Sequence, residues 1–215
     1  MRGIPSCLAI VAIGILSAAE AGFLLDPGNP FWNEAAPETY RARFETTKGS
    51  FVLEATRALA PHGADRFYNL IRAGFYDDSR FYRVISGRFV QFGIAGDPKI
   101  ASLWRDRRIP SDPERAHNLR GSFAFAMVTP DARTTQIFIA TGDMTAQDGA
   151  GFAPFGRVVE GMDVLERLYA GYGEQSGGGM RAGRQDKLFG EGNRYLDRNF
   201  PQLDKLIRAV ILPAR

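Results

Sequence analysis

The sequence predicts a mainly β domain, a closed eight-stranded antiparallel β-barrel capped by two α-helices. Three observations lead to this fold class: about eight short runs have the alternation or composition typical of strands, two segments have helical spacing, and turn residues separate these segments. Antiparallel strands in this number favour closure, because a closed barrel leaves no strand edge exposed. The 215 residues, 45% hydrophobic and 24% charged, suffice for one well-buried core.

The first two strands form a predicted β-hairpin. In residues 40–44 arginines alternate with tyrosine, alanine and phenylalanine. In residues 51–55 Phe51, Leu53 and Ala55 alternate with Val52 and Glu54. Residues 46–49 supply the turn between them. We therefore expect two antiparallel neighbours at the start of the sheet.

The first helix follows this hairpin. Pro61 suits the first turn of a helix, because the N–H that proline lacks would have no helical partner there. Gly74 marks the end of the helix. Apolar residues recur between these two at three- and four-residue spacing, on one face: Ala64, Phe67, Leu70 and Ile71.

The rest of the chain contains six more strand-like runs and one more helix. The runs are residues 81–85, 88–94, 122–127, 135–141, 155–160 and 206–212. The second helix starts near Met162 and ends by Gly171. The tail at 191–204 is predicted to wrap around the barrel before the last strand, in a structural role.

The N-terminus has the three parts of an export signal. Arg2 gives a minimal positive charge, residues 8–16 form a short apolar stretch, and small residues at 19–21 match a cleavage site. We therefore expect a signal peptide at 1–21, an N-terminal extension at 22–38 and the folded domain at 39–215, in the periplasm or secreted. An uncleaved anchor or a misassigned start is the alternative, although the apolar stretch is short for a membrane span.

Cleavage would have two consequences for the mature chain. It would remove Cys7, the single cysteine, so that the chain would need no disulfide in an oxidising compartment. It would also remove the one long apolar stretch, so we expect no stable membrane insertion afterwards.

Composition argues against several function classes. His62 and His117 are the only histidines and lie far apart in sequence, so neither a metal site nor a Ser-His-Asp hydrolase is predicted. A carboxylate-only Mg²⁺ or Ca²⁺ site stays open, although no loop has the spacing for one. No phosphate-binding loop motif occurs. The net charge is only +3 and the basic cluster at 105–108 is interrupted by an acid, so nucleic acid is not an expected partner.

Two stretches carry the candidate site. Residues 75–98 place an arginine, a glutamine and several aromatic residues on two adjacent strand-like segments, and residues 121–143 add a second glutamine and another phenylalanine. Taken alone, these residues predict a groove that grips an apolar residue beside a fixed cation. They could equally be ordinary strand residues, with the phenylalanines in the core and the arginine stem covering the sheet.

These stretches resemble the active-site half of the cyclophilin-type peptidyl-prolyl cis-trans isomerases. The resemblance runs from about Tyr40 to Leu212, and the strings at 91–94, 151–156 and 191–196 resemble a bacterial, exported branch of that family. It implies a cyclophilin-like fold and an enzyme that accelerates rotation about X–Pro bonds and so assists protein folding. It further implies no cofactor, a monomer, and proline-containing peptides and unfolded or folding proteins as partners.

The resemblance also implies a role for individual residues. Arg83 matches the catalytic arginine, and Gln91 matches the glutamine that orients it and contacts substrate. The backbone groups of Ala126 and Met127 match those that bind the substrate chain. Substrate contact is implied for eight residues in all: Arg88, Phe89, Gln91, Ala126, Met127, Gln136, Phe138 and Phe152.

Two departures from the family pattern keep an alternative open. Arg88 stands where many members have a phenylalanine on the pocket rim, and Phe152 lies in a loop, 146–152, that is one residue longer than usual. These changes favour a non-catalytic module that binds proline-containing segments, or a chaperone-like module, on the same barrel. The matches at Arg83 and Gln91 favour the enzyme.

Overall fold

The computed structural model describes residues 22–129, 131–176 and 185–214. The predicted signal peptide at 1–21 lies outside the described residues. Within them the chain forms one curled antiparallel sheet of nine strands, with short helices packed on and beside it.

The strands are β1 Thr39–Thr46, β2 Gly49–Thr56, β3 Ser79–Arg80, β4 Arg83–Ile85, β5 Phe89–Phe92, β6 Ser122–Phe125, β7 Ile137–Ala140, β8 Gly156–Glu160 and β9 Lys205–Ile211. The α-helices are α1 Pro61–Arg72, α2 Pro98–Trp104, α3 Met162–Glu166, α4 Asp186–Glu191 and α5 Asn193–Asn199. Helices α1 and α3 are the two predicted from the sequence. The other three were not predicted, and α5 lies within the tail that was expected only to wrap around the sheet.

The strands follow the order β3-β9-β1-β2-β8-β6-β7-β5-β4 across the sheet. Its two edge strands are consecutive in the chain, separated only by Phe81 and Tyr82. The sheet therefore curls so far that its two edges lie at either end of this two-residue segment.

The prediction of a closed eight-stranded barrel is not confirmed. The sheet has nine strands, and no pairing joins β3 to β4 in the described part of the chain. Of the run at 81–85, predicted as one strand, only Arg83–Ile85 is a strand; Phe81 and Tyr82 are both fully buried and lie between β3 and β4.

The predicted hairpin is confirmed. Strands β1 and β2 pair from Thr39 opposite Thr56 to Thr46 opposite Gly49, which leaves residues 47–48 as the turn. Gly49 has a φ of 121°, in the region that favours glycine.

Helix α1 closes one side of the core through Phe67. This ring is fully buried and lies 6.0 Å from the Phe44 ring and 5.5 Å from the rings of Phe123 and Phe155, measured between centroids. Rings at such distances pack edge-on or offset and add to the stabilisation from burial. The apolar face that the sequence predicts for this helix is therefore the face that meets the sheet.

Strands β5, β7 and β6 are neighbours whose two faces are both apolar. Because side chains alternate along a strand, one set joins the main core and the other lies on the opposite face. The inner set includes Val90, Phe92 and Ile139. The outer set forms a second, separate apolar cluster, which includes Phe89 and Phe138. A second apolar face that the main core does not use is available for another purpose.

The N-terminal segment at 22–38 packs against the helices. The indole of Trp104, in α2, donates to the Leu24 carbonyl oxygen at 2.8 Å. The Asn69 side chain, in α1, donates to the Glu34 carbonyl oxygen at 2.8 Å. No helix within residues 22–129, 131–176 and 185–214 is long and apolar enough to cross a membrane.

Asp77, between α1 and β3, provides a pH-dependent contribution to stability. Its carboxylate accepts the Ala209 N–H at 2.9 Å, but burial outweighs this bond and raises the pKa of Asp77 to about 6, with Glu45 adding to the rise and Arg208 opposing it. The carboxyl of an unfolded chain titrates near ~3.9. The folded protein therefore holds this proton more tightly, and stability falls as the pH rises from about 4 to 6 and stays lower above that range.

We expect Asp77→Asn to stabilise the protein at pH 7.5 by about 1 kcal/mol, and to change stability little at pH 4. Asparagine keeps an oxygen for the Ala209 N–H and carries no charge to bury. The effect is smaller than the pKa shift alone would give, because water screens a side chain that is only partly buried. Urea unfolding at the two pH values measures the effect, with Asp106→Asn, at an exposed position, as the control. Equal stabilisation at both pH values would contradict the explanation.

Candidate active site

Arg83 on β4 lies directly opposite Gln91 on β5. Opposed residues of an antiparallel pair share one face of the sheet, and Arg83 Nη1 donates to Gln91 Oε1 at 2.9 Å. The Arg83 Cζ atom also lies 4.6 Å from the centroid of the Phe89 ring, within the range of a cation–π contact. Arg83 is only 8% exposed, so strand, amide and ring together fix a nearly buried cation.

Gln91 also joins a second glutamine. Its Nε2 donates to Gln136 Oε1 at 3.0 Å and lies 3.3 Å from the Tyr82 hydroxyl oxygen, and that hydroxyl donates to Gln136 Oε1 at 2.5 Å. Burial raises the pKa of Tyr82 well above its ordinary value, so the phenol keeps its proton and remains a donor at neutral pH. The two glutamines predicted to contact substrate are therefore linked to each other and to Arg83.

The floor beside Arg83 is aromatic. The Phe138 ring centroid lies 6.3 Å from that of Phe89 and 5.6 Å from that of Phe152, and both pairs meet edge to face. Ala124, Ala140 and Met144 belong to the same apolar cluster. The outer face of strands β5, β7 and β6 therefore forms an apolar surface next to a fixed guanidinium.

The structure brings all the residues predicted from the sequence to one pocket of about 260 Å³. The pocket is lined, among others, by Arg83, Arg88, Phe89, Gln91, Ala126, Met127, Gln136, Phe138 and Phe152. The Ala126 N–H is already used, because it donates to the Gln136 carbonyl oxygen at 2.9 Å. Arg88 is exposed at the rim.

The loop at 146–152 places Phe152 in the pocket. The Glu114 carboxylate accepts the Gly149 N–H at 2.8 Å and also the Gly151 N–H, and Asn118 Nδ2 donates to the Phe152 carbonyl oxygen at 3.1 Å. Gly149 and Gly151 have φ angles of 81° and 90°, which side-chain-bearing residues rarely adopt. Two glycines and one carboxylate therefore define the turn that carries the ring.

Sequence reasoning missed some polar residues of the pocket, among them Glu174 and Gln185. The Glu174 carboxylate accepts from Arg83 Nε at 3.0 Å and from Arg83 Nη2 at 2.6 Å. The side-chain amides of Gln185 and Gln136 face each other, with nitrogen-to-oxygen distances of 3.0 and 3.2 Å. Glu174 is 91 residues from Arg83 in a stretch rich in glycine, so no local pattern indicated either contact.

The site offers hydrogen-bond donors and an apolar floor but few groups that titrate near neutral pH. Its lining includes two arginines and one carboxylate, Arg83, Arg88 and Glu174, and no histidine. No group of three or more His, Cys, Asp or Glu side chains with the arrangement of a metal site occurs in the described ranges. Such a pocket can bind an apolar group and donate hydrogen bonds to a polar group next to it.

Comparison with known proteins agrees with this arrangement. Residues 41–184 match the family model described as cyclophilin type peptidyl-prolyl cis-trans isomerase/CLD. A peptidyl-prolyl cis-trans isomerase-like 1 of Gibberella zeae is 32% identical over 130 residues, 58% of this chain and 78% of the relative. Peptidyl-prolyl cis-trans isomerase A of Dickeya dadantii is 31% identical over 140 residues, 62% of this chain and 73% of the relative. Peptidyl-prolyl cis-trans isomerase B of Escherichia coli is 30% identical over 134 residues, 58% of this chain and 81% of the relative.

Solved structures support the same fold. A cyclophilin-type isomerase of Cryptosporidium parvum superposes with a TM-score of 0.59 at 18% identity, over 82% of this chain and 99% of that one. A cyclophilin of Hirschia baltica gives a TM-score of 0.54 at 19% identity, over 82% of this chain and 75% of that one.

Proposed function

This chain belongs to the cyclophilin-type peptidyl-prolyl cis-trans isomerase family, and on that premise we propose that its pocket binds proline-containing segments and accelerates rotation about the X–Pro bond. The substrates are proline-containing peptides and proteins that are unfolded or still folding. We expect this reaction to require no metal and no cofactor.

The chemistry of the bond explains why so few groups suffice. Rotation about a peptide bond has a barrier of about 18–20 kcal/mol, because the nitrogen lone pair is delocalised into the carbonyl group. Twisting the bond localises that lone pair on nitrogen. A hydrogen-bond donor aimed at the twisted amide therefore stabilises the transition state more than the planar ground state, which is the condition for catalysis.

Arg83 is the donor in this mechanism. Gln91 at 2.9 Å and the face of Phe89 at 4.6 Å hold its guanidinium on the pocket wall, so little reorganisation is needed when the bond twists. Gln91 acts by orienting Arg83 and, with Gln136, by contacting the substrate.

The apolar floor holds the proline ring while the other side of the bond turns. Phe89, Phe138 and Phe152 surround the space next to Arg83. The backbone at Ala126 and Met127 binds the substrate chain, with the Ala126 carbonyl as the acceptor because its N–H is already bonded within the sheet. Arg88 lies at the rim, where it meets residues next to the proline.

One observation carries the proposal: a nearly buried, oriented arginine lies beside an aromatic floor in the same pocket. A hydrolase or a transferase would need a nucleophile or a general base. The lining formed by the described residues has no histidine or cysteine, and its one carboxylate, Glu174, is paired with Arg83.

A non-catalytic proline-binding module is the second candidate. The exposed cation of Arg88 at the rim favours it, and so does the carboxylate of Glu174 on Arg83, which reduces the positive field that the guanidinium offers to an amide. Such a module would bind the same segments without changing the rate of rotation.

NMR exchange spectroscopy on a short Ala-Pro peptide distinguishes the two. We expect catalytic amounts of the protein to raise the cis-trans exchange rate above the rate of the peptide alone, which is of the order of once in tens of seconds or slower. Shifts of the peptide resonances without faster exchange would instead support the binding module. An Ala-Pro peptide with an added acidic residue tests whether Arg88 selects its neighbours.

We also propose where the enzyme acts. Residues 1–21 have the parts of an export signal, so the domain is expected to meet its substrates in the periplasm or outside the cell. We further propose that the enzyme acts as a monomer.

A further inference from the structure

We infer that Glu174 is a positioning residue for Arg83, an inference that rests on the proposed isomerase function. Its two carboxylate oxygens accept from Arg83 Nε at 3.0 Å and Nη2 at 2.6 Å, a bidentate pair on one edge of the guanidinium. Paired, parallel hydrogen bonds of this kind fix the plane of the guanidinium as well as its position.

The segment that carries Glu174 is tied to the strand segment that carries Arg83. Ser176, two residues after Glu174, is fully buried, and its hydroxyl donates to the Tyr82 carbonyl oxygen at 2.6 Å. On the other side, Gly173 N–H donates to the Ala170 carbonyl oxygen at 3.1 Å. The carboxylate is therefore held next to Arg83 by the backbone of the residue that precedes Arg83.

Arg83 needs such a partner because its charge is nearly buried. The side chain is 9% exposed, and its other polar partner in the described residues is Gln91, a neutral amide. A cation with so little access to water is costly to keep in place without an opposite charge. Without Glu174, turning the guanidinium towards solvent and away from the pocket lowers the free energy.

The pair leaves donors available for catalysis. Of the five N–H groups of a guanidinium, Glu174 takes two and Gln91 takes one. Two N–H groups have no partner among the described residues, and they are the ones that meet the substrate amide. Glu174 thus fixes the guanidinium on the edge that catalysis does not use.

Steady-state kinetics on the Ala-Pro peptide test this role. We expect Glu174→Ala to lower kcat by about 10- to 100-fold, the scale of a misplaced catalytic group, with a much smaller change in KM. Glu174→Gln keeps one acceptor and should retain part of the rate. Thermal unfolding should change little, because Glu174 is 45% exposed and the Arg83 guanidinium can turn towards solvent when the carboxylate is removed. Glu166→Ala is the matched control, because Glu166 pairs with Arg120 at similar exposure (43%) and does not line the pocket.

Two further measurements separate this inference from the proposed function. In an Arg83→Ala background, Glu174→Ala should have no additional effect, because the carboxylate acts through Arg83. The NMR signal of the Arg83 Nε–H should be protected from solvent exchange in the native protein and lose that protection in Glu174→Ala, which requires no activity.

The outcomes are distinct. A rise in kcat/KM for Glu174→Ala would overturn the inference and show that the carboxylate competes with substrate. An unchanged Nε–H signal would overturn it even if the native protein is active. A native protein without isomerase activity but with the expected Nε–H change would refute the proposed function while supporting the contact with Arg83.

Discussion

Arg83→Ala is expected to reduce kcat/KM for the Ala-Pro peptide by about 10²- to 10³-fold, the usual loss when one preorganised transition-state donor is removed. The loss should appear mainly in kcat, because the apolar floor that binds the proline ring stays in place. NMR exchange rates for native and variant protein over a range of peptide concentrations measure both parameters.

Two controls make this result specific. Arg83→Lys keeps a positive charge but offers one compact ammonium group, which lacks the planar edge that now meets Glu174. We expect it to recover little of the rate. Arg120→Ala removes an exposed arginine of an ion pair outside the pocket and should leave the kinetics unchanged. Equal activity of the native protein and Arg83→Ala would remove Arg83 from its proposed role.

The site residues were assigned through the family resemblance, and local alternation explains why several of them share a face. Phe89 and Gln91 are two residues apart on β5, and Gln136 and Phe138 are two apart at the start of β7, so the alternation of a strand puts each pair on one face. The register that sets Arg83 opposite Gln91 follows from the tight connection between β4 and β5. These positions therefore needed no knowledge of distant contacts.

Other features depend on contacts between distant parts of the chain. Glu174 meets Arg83 across 91 residues and Gln185 meets Gln136 across 49, and neither partner has a local signature. The curling of the sheet depends in the same way on β9, the last strand in the chain, pairing with both β1 and β3. Alternation within one strand carries no information about which strand lies beside it.

The helices that the sequence analysis missed are short. Helix α2 has 7 residues, too few for its apolar spacing to stand out. Its start was nevertheless marked, because Asp97 accepts two backbone N–H groups of the first turn and Pro98 follows it. Capping signals would therefore have identified this helix where periodicity could not.

Asp112→Ala is expected to destabilise the protein by about 3–5 kcal/mol, the usual cost of leaving one member of a buried ion pair alone. Asp112 and Arg133 have side chains that are 1% and 2% exposed, and Asp112 Oδ2 accepts from Arg133 Nη1 at 3.0 Å. The same carboxylate caps helix α1, whose N-cap residue, Ala60, offers no side-chain acceptor. It accepts the His62 N–H at 3.1 Å and the Gly63 N–H at 2.9 Å.

Removing this carboxylate therefore has two costs, a buried guanidinium without its counter-charge and two helix N–H groups without an acceptor. Urea unfolding should report the full loss for Asp112→Ala and a smaller one for Asp112→Asn, which keeps an oxygen for the helix. The double variant Asp112→Ala/Arg133→Met should regain much of the loss, since it removes the unpaired charge. Glu166→Ala, which breaks an exposed pair, should cost no more than about 1 kcal/mol. If Asp112→Ala costs as little as that control, the buried pair does not stabilise the start of α1 as argued.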